Sequence, residues 1–114
     1  MEHNDDYSIQ FLTDALNDMT EIIASFVMLG SKQGAKRIQK KFNKAAGQIQ
    51  SFPYSGIKVP DDKLAKMGFR MVIVEKYLMF YKVFDDKKTV VFYRVFNGRR
   101  DYPSLMSYLS DESE

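Results

Sequence analysis

Apolar and polar positions alternate near the start of the chain and then change to a helical period. Residues 7–11 alternate, which predicts a short strand. The apolar positions of this strand are Tyr7, Ile9 and Phe11. A helical stripe follows, formed by Leu12, Ala15, Leu16, Met19, Ile22, Ile23, Phe26 and Val27. This stripe predicts a first helix with Thr13 as its N-cap, ended by Gly30 and Ser31.

A second helical stripe predicts a helix that starts near Ser31 and runs to about Ser51, before Pro53. Its apolar residues are Ala35, Ile38, Phe42, Ala45, Ile49 and Phe52. Because a short loop separates the two stripes, we expect an antiparallel helical hairpin. Residues 54–66 mix Ser, Gly, Pro and charged residues without a period, which predicts a long loop with one helical turn at residues 61–66.

Three runs rich in Val, Ile, Phe and Tyr follow, at residues 69–74, 77–84 and 89–96. The short turns between them predict two successive hairpins and therefore an antiparallel meander. Behind Asp101, which is placed as a helix cap, a last group of apolar residues has helical spacing. These residues are Tyr102, Leu105, Met106 and Leu109. We expect this segment to cover the sheet face that the helical hairpin leaves open.

The order strand, helix, helix, three strands and short helix predicts an α+β domain of two layers. The expected fold is an N-terminal strand at a sheet edge, an antiparallel helical hairpin packed on a mainly antiparallel four-stranded sheet, and a short C-terminal helix. A single domain is expected to span residues 1–114. Residues 1–6 and 110–114 are expected to be disordered tails.

The composition excludes several kinds of site. The chain has no cysteine and one histidine, His3, so we expect no disulfide, no metal site and no cofactor. No run approaches the roughly 20 apolar residues that a membrane span needs. The start of the chain, residues 1–6, is acidic where a secretory signal is basic. We therefore expect a cytoplasmic protein with no membrane partner.

A formal net charge of +2 conceals an uneven distribution of charge along the chain. Residues 1–31 carry six acids and no base, whereas residues 32–60 carry seven Lys or Arg and no acid. The bases that lie off the apolar stripe of the second helix are Lys36, Arg37, Lys40, Lys41 and Lys44. Such a surface favours an anionic partner, either a nucleic acid or an acidic polypeptide. The alternative is an ordinary solvated helix face.

Three local patterns, in this order, resemble the toxins of RelE/ParE toxin–antitoxin pairs. They are residues 7–11 followed by 13–18, then Phe52-Pro53-x-x-Gly56, and then Met67-Gly68-Phe69-Arg70 followed by Arg99-Arg100-Asp101-Tyr102. The resemblance covers about residues 7–106 and implies a RelE/ParE toxin-like fold. It also implies a growth-arrest toxin of a type II (plasmid stabilisation) system, kept inactive by a cognate antitoxin protein that covers its basic surface.

The resemblance implies two possible targets. RelE-like members bind the ribosomal A site and cut mRNA, whereas ParE-like members inhibit DNA gyrase without nuclease chemistry. We expect ribosome-dependent mRNA cleavage, with gyrase inhibition as the first alternative and an inactive homologue that only binds its antitoxin as the second. The chain differs from the RelE pattern at Leu78, which follows Tyr77 where that pattern has Arg, and Arg70 is the one cation near the expected Lys pair.

Cleaving RNA through its 2′-hydroxyl requires a base, cations that stabilise charge on phosphorus, and an acid for the leaving oxygen. Arg99 or Arg100 matches the C-terminal Arg of the family, and one of them is expected to contact the scissile phosphate, with Arg70 assisting. Tyr102, or Tyr108 in its place, is the candidate general acid. We call residues 98–102 the arginine corner.

These catalytic assignments have structural alternatives. One arginine of the corner would pair with Asp101 while the other is solvated, and Tyr102 would be a core residue. The candidates for a base, Glu75 and Lys76, lie in a predicted hairpin turn, where charged side chains are ordinarily solvated.

Overall fold

A computed structural model describes residues 7–109 of the chain. Its strands are β1 Ser8–Phe11, β2 Ile57–Lys58, β3 Arg70–Val74, β4 Tyr77–Phe84 and β5 Thr89–Asn97. Its helices are α1 Thr13–Met28, α2 Lys32–Ser51, α3 Asp62–Lys66 and α4 Tyr102–Leu105, with a 3-10 turn at Asp85–Lys87. The two predicted tails, residues 1–6 and 110–114, lie outside the described residues. Between residues 7 and 109 no helix is long and apolar enough to cross a membrane.

The strands form one sheet in the order β1, β5, β4, β3, β2. β1 runs parallel to β5, and the other neighbouring strands are antiparallel. The α+β class and the edge position of β1 confirm the prediction, but the sheet has five strands where we expected four. The additional strand is β2, whose Ile57 and Lys58 pair with Met71 and Arg70. It lies in the segment predicted as a loop, because two residues are too few to show a strand period.

The hairpin of α1 and α2 covers one face of the sheet. The deeply buried residues of α2 on this face are Ile38, Phe42, Ala45, Ala46 and Ile49. Their partners on the sheet are Val74, Tyr77, Met79, Tyr81, Val90, Phe92 and Val95. On α1, by contrast, Ala15 is the one fully buried residue, and Leu16 and Val27 each remain 48% exposed. The apolar stripe of α1 is therefore wider than the surface it packs on.

The ends of α1 differ in part from the prediction. Thr13 is the first helical residue, whereas Leu12 is the N-cap and makes no side-chain capping bond, so the predicted Thr13 cap is wrong. The Leu12 N–H instead donates to the Phe92 carbonyl oxygen at 2.9 Å, which continues the pairing of β1 with β5. At the other end Gly30 adopts a φ of 85°, a conformation that favours glycine, and its N–H donates to the Val27 carbonyl oxygen.

The C-terminal segment covers the second face of the sheet, as predicted. Its core consists of Val59, Leu64, Phe69, Met71, Phe80, Phe96 and Met106, with Tyr102, Leu105 and Leu109 packed at the side. Asp101 caps α4 by accepting a hydrogen bond from the Ser104 N–H at 3.4 Å, which confirms its predicted role. Helices therefore pack on both faces of the sheet.

Candidate functional site

The arginine corner begins where β5 ends, against the turn between β3 and β4. The Gly98 N–H donates to the Lys76 carbonyl oxygen at 2.7 Å. A Cβ on Gly98 would lie 3.3 Å from that oxygen, so glycine permits this close approach of two backbones. The Asn97 side-chain oxygen then accepts from the Arg99 N–H at 3.0 Å, and the Asn97 carbonyl oxygen accepts from the Arg100 N–H at 2.9 Å. The backbone of the corner is thus fixed by hydrogen bonds.

Both arginine side chains of the corner are exposed. Neither Arg99 nor Arg100 forms an ion pair within residues 7–109. The Asp101 carboxylate caps α4, so the alternative in which it pairs with an arginine of the corner is wrong. The Arg100 guanidinium carbon lies 5.9 Å from the centre of the Phe96 ring, a cation–π distance. Two positive charges are therefore available to an external ligand.

Tyr102 packs on the second face of the sheet. Its ring lies 4.9 Å from the Phe80 ring, and the side chain is partly buried. Burial, followed by the charge of Asp61, raises the pKa of the Tyr102 hydroxyl above its ordinary value. A general acid benefits from a pKa closer to neutral, so this environment favours the core role of Tyr102.

Arg70 is bound to the segment that follows α2. Its guanidinium donates to the carbonyl oxygens of Tyr54 at 3.1 Å and of Gly56 at 2.9 Å, and it lies 5.4 Å from the centre of the Tyr54 ring. On β3 it has the same parity as Val72 and Val74, which pack against the hairpin core. Arg70 therefore points to the hairpin side of the sheet.

Arg70 also lies at the other end of the sheet from the arginine corner. It is opposite Tyr81 at the start of β3, whereas Val74, Tyr77 and Asn97 align at the end that leads to the corner. Four residues of strand separate these ends by about 13 Å. The structure thus does not bring Arg70 together with the corner arginines, and the expected assisting role of Arg70 stays a prediction.

The sheet surface beside the corner is apolar. Ile73, Leu78 and Phe96 are direct neighbours across β3, β4 and β5, and Ile73 is 51% exposed. In the RelE pattern a cation occupies the position of Leu78. A phosphate bound at the corner would therefore meet no cation from this row of side chains.

A polar cleft of about 550 Å³ opens between α1 and the edge of β5. Its lining residues are Asp14, Asn17, Asp18, Glu21, Ile22, Ser25, Lys76, Tyr77, Arg94, Val95, Phe96, Asn97 and Arg100. It exists because β1 pairs with β5 only as far as Phe92, which leaves the later part of that edge to α1. The Asp18 carboxylate accepts from the Val95 N–H at 2.9 Å and satisfies the donor that β1 does not reach.

Arg94 is the functional candidate that sequence analysis missed. Its Nε donates to one Asp18 oxygen at 2.7 Å and its Nη2 to the other at 3.0 Å, and its Nη1 donates to the Tyr108 hydroxyl at 3.3 Å. These bonds, with Asp18 as the largest contributor, raise the pKa of the Arg94 guanidinium above its ordinary value. Arg94 is therefore a permanent cation that is already neutralised by Asp18.

A β-bulge determines on which face of the sheet the Arg94 side chain lies. Phe80 is opposite Arg94 and Tyr81 is opposite Phe92, so Tyr93 is an extra residue of β5. Tyr93 packs on the second face with Phe69, and the Arg94 guanidinium carbon lies 4.5 Å from the Phe96 ring centre on that same face. Strict alternation would place Arg94 on the hairpin face, and apolar periodicity alone gives no sign of the bulge.

Glu75 pairs with two of the basic side chains of α2, and the others have no acidic partner within residues 7–109. The Nε of Arg37 and the Nζ of Lys41 both lie 3.0 Å from the same Glu75 oxygen. These two contacts, that of Arg37 first, lower the pKa of the Glu75 carboxyl to about 2. Glu75 has a φ of 54° in the turn between β3 and β4, which is unusual for a residue other than glycine. It is a turn residue whose carboxylate is neutralised by two basic side chains of α2, and this arrangement does not favour a role as the base.

The remaining predicted residues of the basic helix, Lys36, Lys40 and Lys44, are exposed and form no ion pair within residues 7–109. Lys32, which precedes them by one turn, shares both properties. The same part of the chain contains no cluster of three or more His, Cys, Asp or Glu side chains that would bind a metal ion.

Comparison with known families identifies the chain. A family model described as "ParE toxin of type II toxin-antitoxin system, parDE" matches residues 9–102. The chain belongs to the ParE toxin family. The match spans the hairpin, the sheet except for its first residue, and the arginine corner. A comparison with curated protein sequences finds no match.

Solved structures share the fold of this ParE-family chain. A chain of the chromosomal ParDE system from P. aeruginosa has a TM-score of 0.66 and 17% identity, covering 82% of this chain and 98% of its own. A mutant of E. coli toxin RelE in the free state has a TM-score of 0.60 and 18% identity, covering 92% and 99%. In the RelBE2 toxin–antitoxin complex from Mycobacterium tuberculosis the values are 0.57 and 19%, covering 85% and 97%.

The ParE-family chain is therefore a toxin component of a type II toxin–antitoxin system with the RelE/ParE fold. These comparisons confirm the family, the fold and the toxin role expected from the sequence. They leave the mechanism to be argued from the arrangement of the side chains.

Proposed function

We propose that this toxin arrests bacterial growth by binding DNA gyrase, as the resemblance implies for ParE-like members, and does not cut RNA. The observation that supports this most is the separation of the groups that RNA cleavage requires. The corner arginines have no cationic neighbour from β3 or β4, because Arg70 lies at the other end of the sheet and Leu78 is apolar. The hydroxyl of Tyr102 has a raised pKa, which disfavours proton transfer. Inhibition by binding requires neither an acid nor a base.

Ribosome-dependent mRNA cleavage is the second candidate, and one observation favours it. Arg99 and Arg100 are exposed, fixed in position by the backbone of the corner, and without an acidic partner within residues 7–109. An arginine in such a position can donate two hydrogen bonds to the oxygens of a phosphate. The ribosome would then have to supply the remaining groups.

Inducible expression in a bacterial host tests both candidates in one culture. We expect growth arrest with relaxed plasmid DNA and intact mRNA. Arrest with mRNA cut in phase with codons would contradict the gyrase proposal. No arrest at all would favour an inactive homologue that only binds its antitoxin. Each outcome is read from plasmid topology and from mapped RNA ends.

Substitution of the corner separates the two candidates further. Arg99→Ala with Arg100→Ala should abolish mRNA cuts if these arginines contact the scissile phosphate. The matched control is Lys63→Ala with Lys66→Ala, which removes two exposed charges from α3. Cuts that persist in the corner variant would exclude the nuclease role of the corner.

We further propose that a cognate antitoxin binds the outer side of the helical hairpin. The similar M. tuberculosis RelBE2 and P. aeruginosa ParDE structures belong to toxin–antitoxin systems. In this chain a groove of about 190 Å³ lies between α1 and α2, lined by Leu16, Met19, Thr20, Ile23, Gln39, Phe42 and Asn43. With the exposed Leu16 and Val27, the groove suits the apolar face of a partner helix.

Leu16→Asp should abolish rescue of growth by the co-expressed cognate antitoxin, because a buried carboxylate would face the apolar side of the antitoxin helix. Asn17→Asp, at the next position of α1 but lining the polar cleft and not the groove, is the control and should leave rescue unchanged. Rescue that is equal in the two variants would place the antitoxin elsewhere. The readout is colony formation under co-induction.

A further inference from the structure

Lysines follow one another at every fourth position along α2. They are Lys32, Lys36, Lys40 and Lys44, and each is exposed. We call this set the lysine stripe. On a helix with 3.6 residues per turn, residues four apart are neighbours, and the stripe extends over about 18 Å. No acid occurs in residues 32–60, so no negative charge of the helix itself opposes it.

Arg37 and Lys41 lie on the same helix but differ from the lysine stripe in their electrostatic environment. Glu75 accepts contacts from both of them at 3.0 Å, so their charge is largely compensated. The members of the stripe have no ion-pair partner within residues 7–109. The uncompensated positive charge of α2 is therefore concentrated on its outward side.

The chemistry of the stripe fits a nucleic acid better than a protein. Gln33 and Gly47 are exposed among the lysines, and no apolar or aromatic side chain lies between them on this side of α2. Interfaces between proteins are depleted in Lys and enriched in aromatic residues. Interfaces with nucleic acids are strongly positive and rich in water. The hairpin thus divides into an apolar half on α1 and a cationic half on α2.

We propose that the lysine stripe binds the phosphodiester backbone of duplex DNA. The choice of DNA rests on the proposed function, because a toxin that inhibits gyrase works next to the duplex on which gyrase acts. An 18 Å row of cations spans roughly five phosphates of one strand along the duplex axis. Lysine side chains contact phosphates as point charges, so the binding is independent of base sequence.

The test is the salt dependence of binding of purified protein to a fluorescein-labelled 20-base-pair DNA duplex, followed by fluorescence anisotropy. Each phosphate contact contributes about 0.9 to the slope of log K against log salt. Lys36→Ala with Lys40→Ala should therefore reduce the slope by about 2. Arg37→Ala with Lys41→Ala, which removes the same charge from the same helix, should leave the slope unchanged. Equal effects of the two variants, or no salt dependence, would overturn the proposal.

Two further measurements make the outcome specific. An RNA duplex of the same sequence should bind no more tightly than the DNA duplex, and tighter binding to RNA would overturn the assignment to DNA. Inhibition of gyrase supercoiling is measured separately on the same variants. If the protein binds DNA but does not inhibit gyrase, the proposed function is wrong and the proposal for the lysine stripe stands. If Lys36→Ala with Lys40→Ala changes neither the salt slope of DNA binding nor gyrase inhibition, the proposal for the lysine stripe is wrong and the proposed function stands.

Discussion

The end of β5 and the outer side of α2 both contain compensated and uncompensated basic residues, but the two regions compensate charge differently. At β5 the acid is Asp18, which binds Arg94 through two hydrogen bonds and also accepts a backbone N–H. At α2 the acid is Glu75, whose partners Arg37 and Lys41 remain about half exposed. Loss of one partner of the first pair should destabilise the fold, because the other charge would remain mostly removed from water without a counter-charge. The second should mainly cancel charge, because exposed ion pairs contribute little.

The largest loss of stability is expected when the Arg94 side chain is removed. Arg94→Ala leaves the partly buried Asp18 carboxylate without its cation and should lower the free energy of unfolding by about 2 kcal/mol. Urea denaturation followed by circular dichroism measures this loss. Arg99→Ala is the matched control from the same part of the chain, and its effect should stay within about 0.5 kcal/mol. Equal losses in the two variants would mean that the Asp18 pair has no special role in stability.

A smaller effect is expected at Glu75, and it depends on pH and salt. The pKa of this carboxyl is lowered to about 2 in the folded protein, whereas a glutamate in an unfolded chain titrates near pH 4.3. The contribution of the Glu75 carboxylate to stability is therefore complete above about pH 4.3. This contribution is lost as the pH falls toward the pKa of Glu75 in the folded protein. Glu75→Gln should remove this part of the acid sensitivity, while near neutral pH its cost should be below about 1 kcal/mol.

Salt is the control for the Glu75 prediction. The difference between wild type and Glu75→Gln at neutral pH should shrink at 1 M salt, because ions screen exposed pairs. The Arg94→Ala difference should persist under the same conditions. If the stability difference caused by Glu75→Gln did not shrink at high salt, the Glu75 ion pairs would be as little screened by ions as the Asp18 pair.

Much of the architecture was predictable because it depends on local apolar periods. The hairpin, the meander and the covering C-terminal segment all follow from stripes that extend over several turns or strands. β2 was missed because Ile57 and Lys58 are too few to show a pattern. The position of Arg70 was predictable in principle, since it shares the parity of Val72 and Val74, which face the hairpin.

The candidate site was less predictable because it depends on contacts between distant parts of the chain. Asp18 and Arg94 are 76 positions apart, and the bulge that directs Arg94 follows from the pairing of β4 with β5. The compensation of Arg37 by Glu75 likewise joins a helix to a turn 38 positions later. Composition identified the excess of positive charge on α2, but only the folded contacts show which of its cations are uncompensated.

The short β1 strand has a consequence for the solubility of the toxin. A strand edge with unsatisfied N–H and C=O groups is a template on which another chain can add, and such additions lead to aggregation. The part of β5 beyond Phe92 would be such an edge, but α1 runs beside it and the Asp18 carboxylate occupies the Val95 N–H. The residue that pairs with Arg94 thus also blocks part of a strand edge against pairing with another chain.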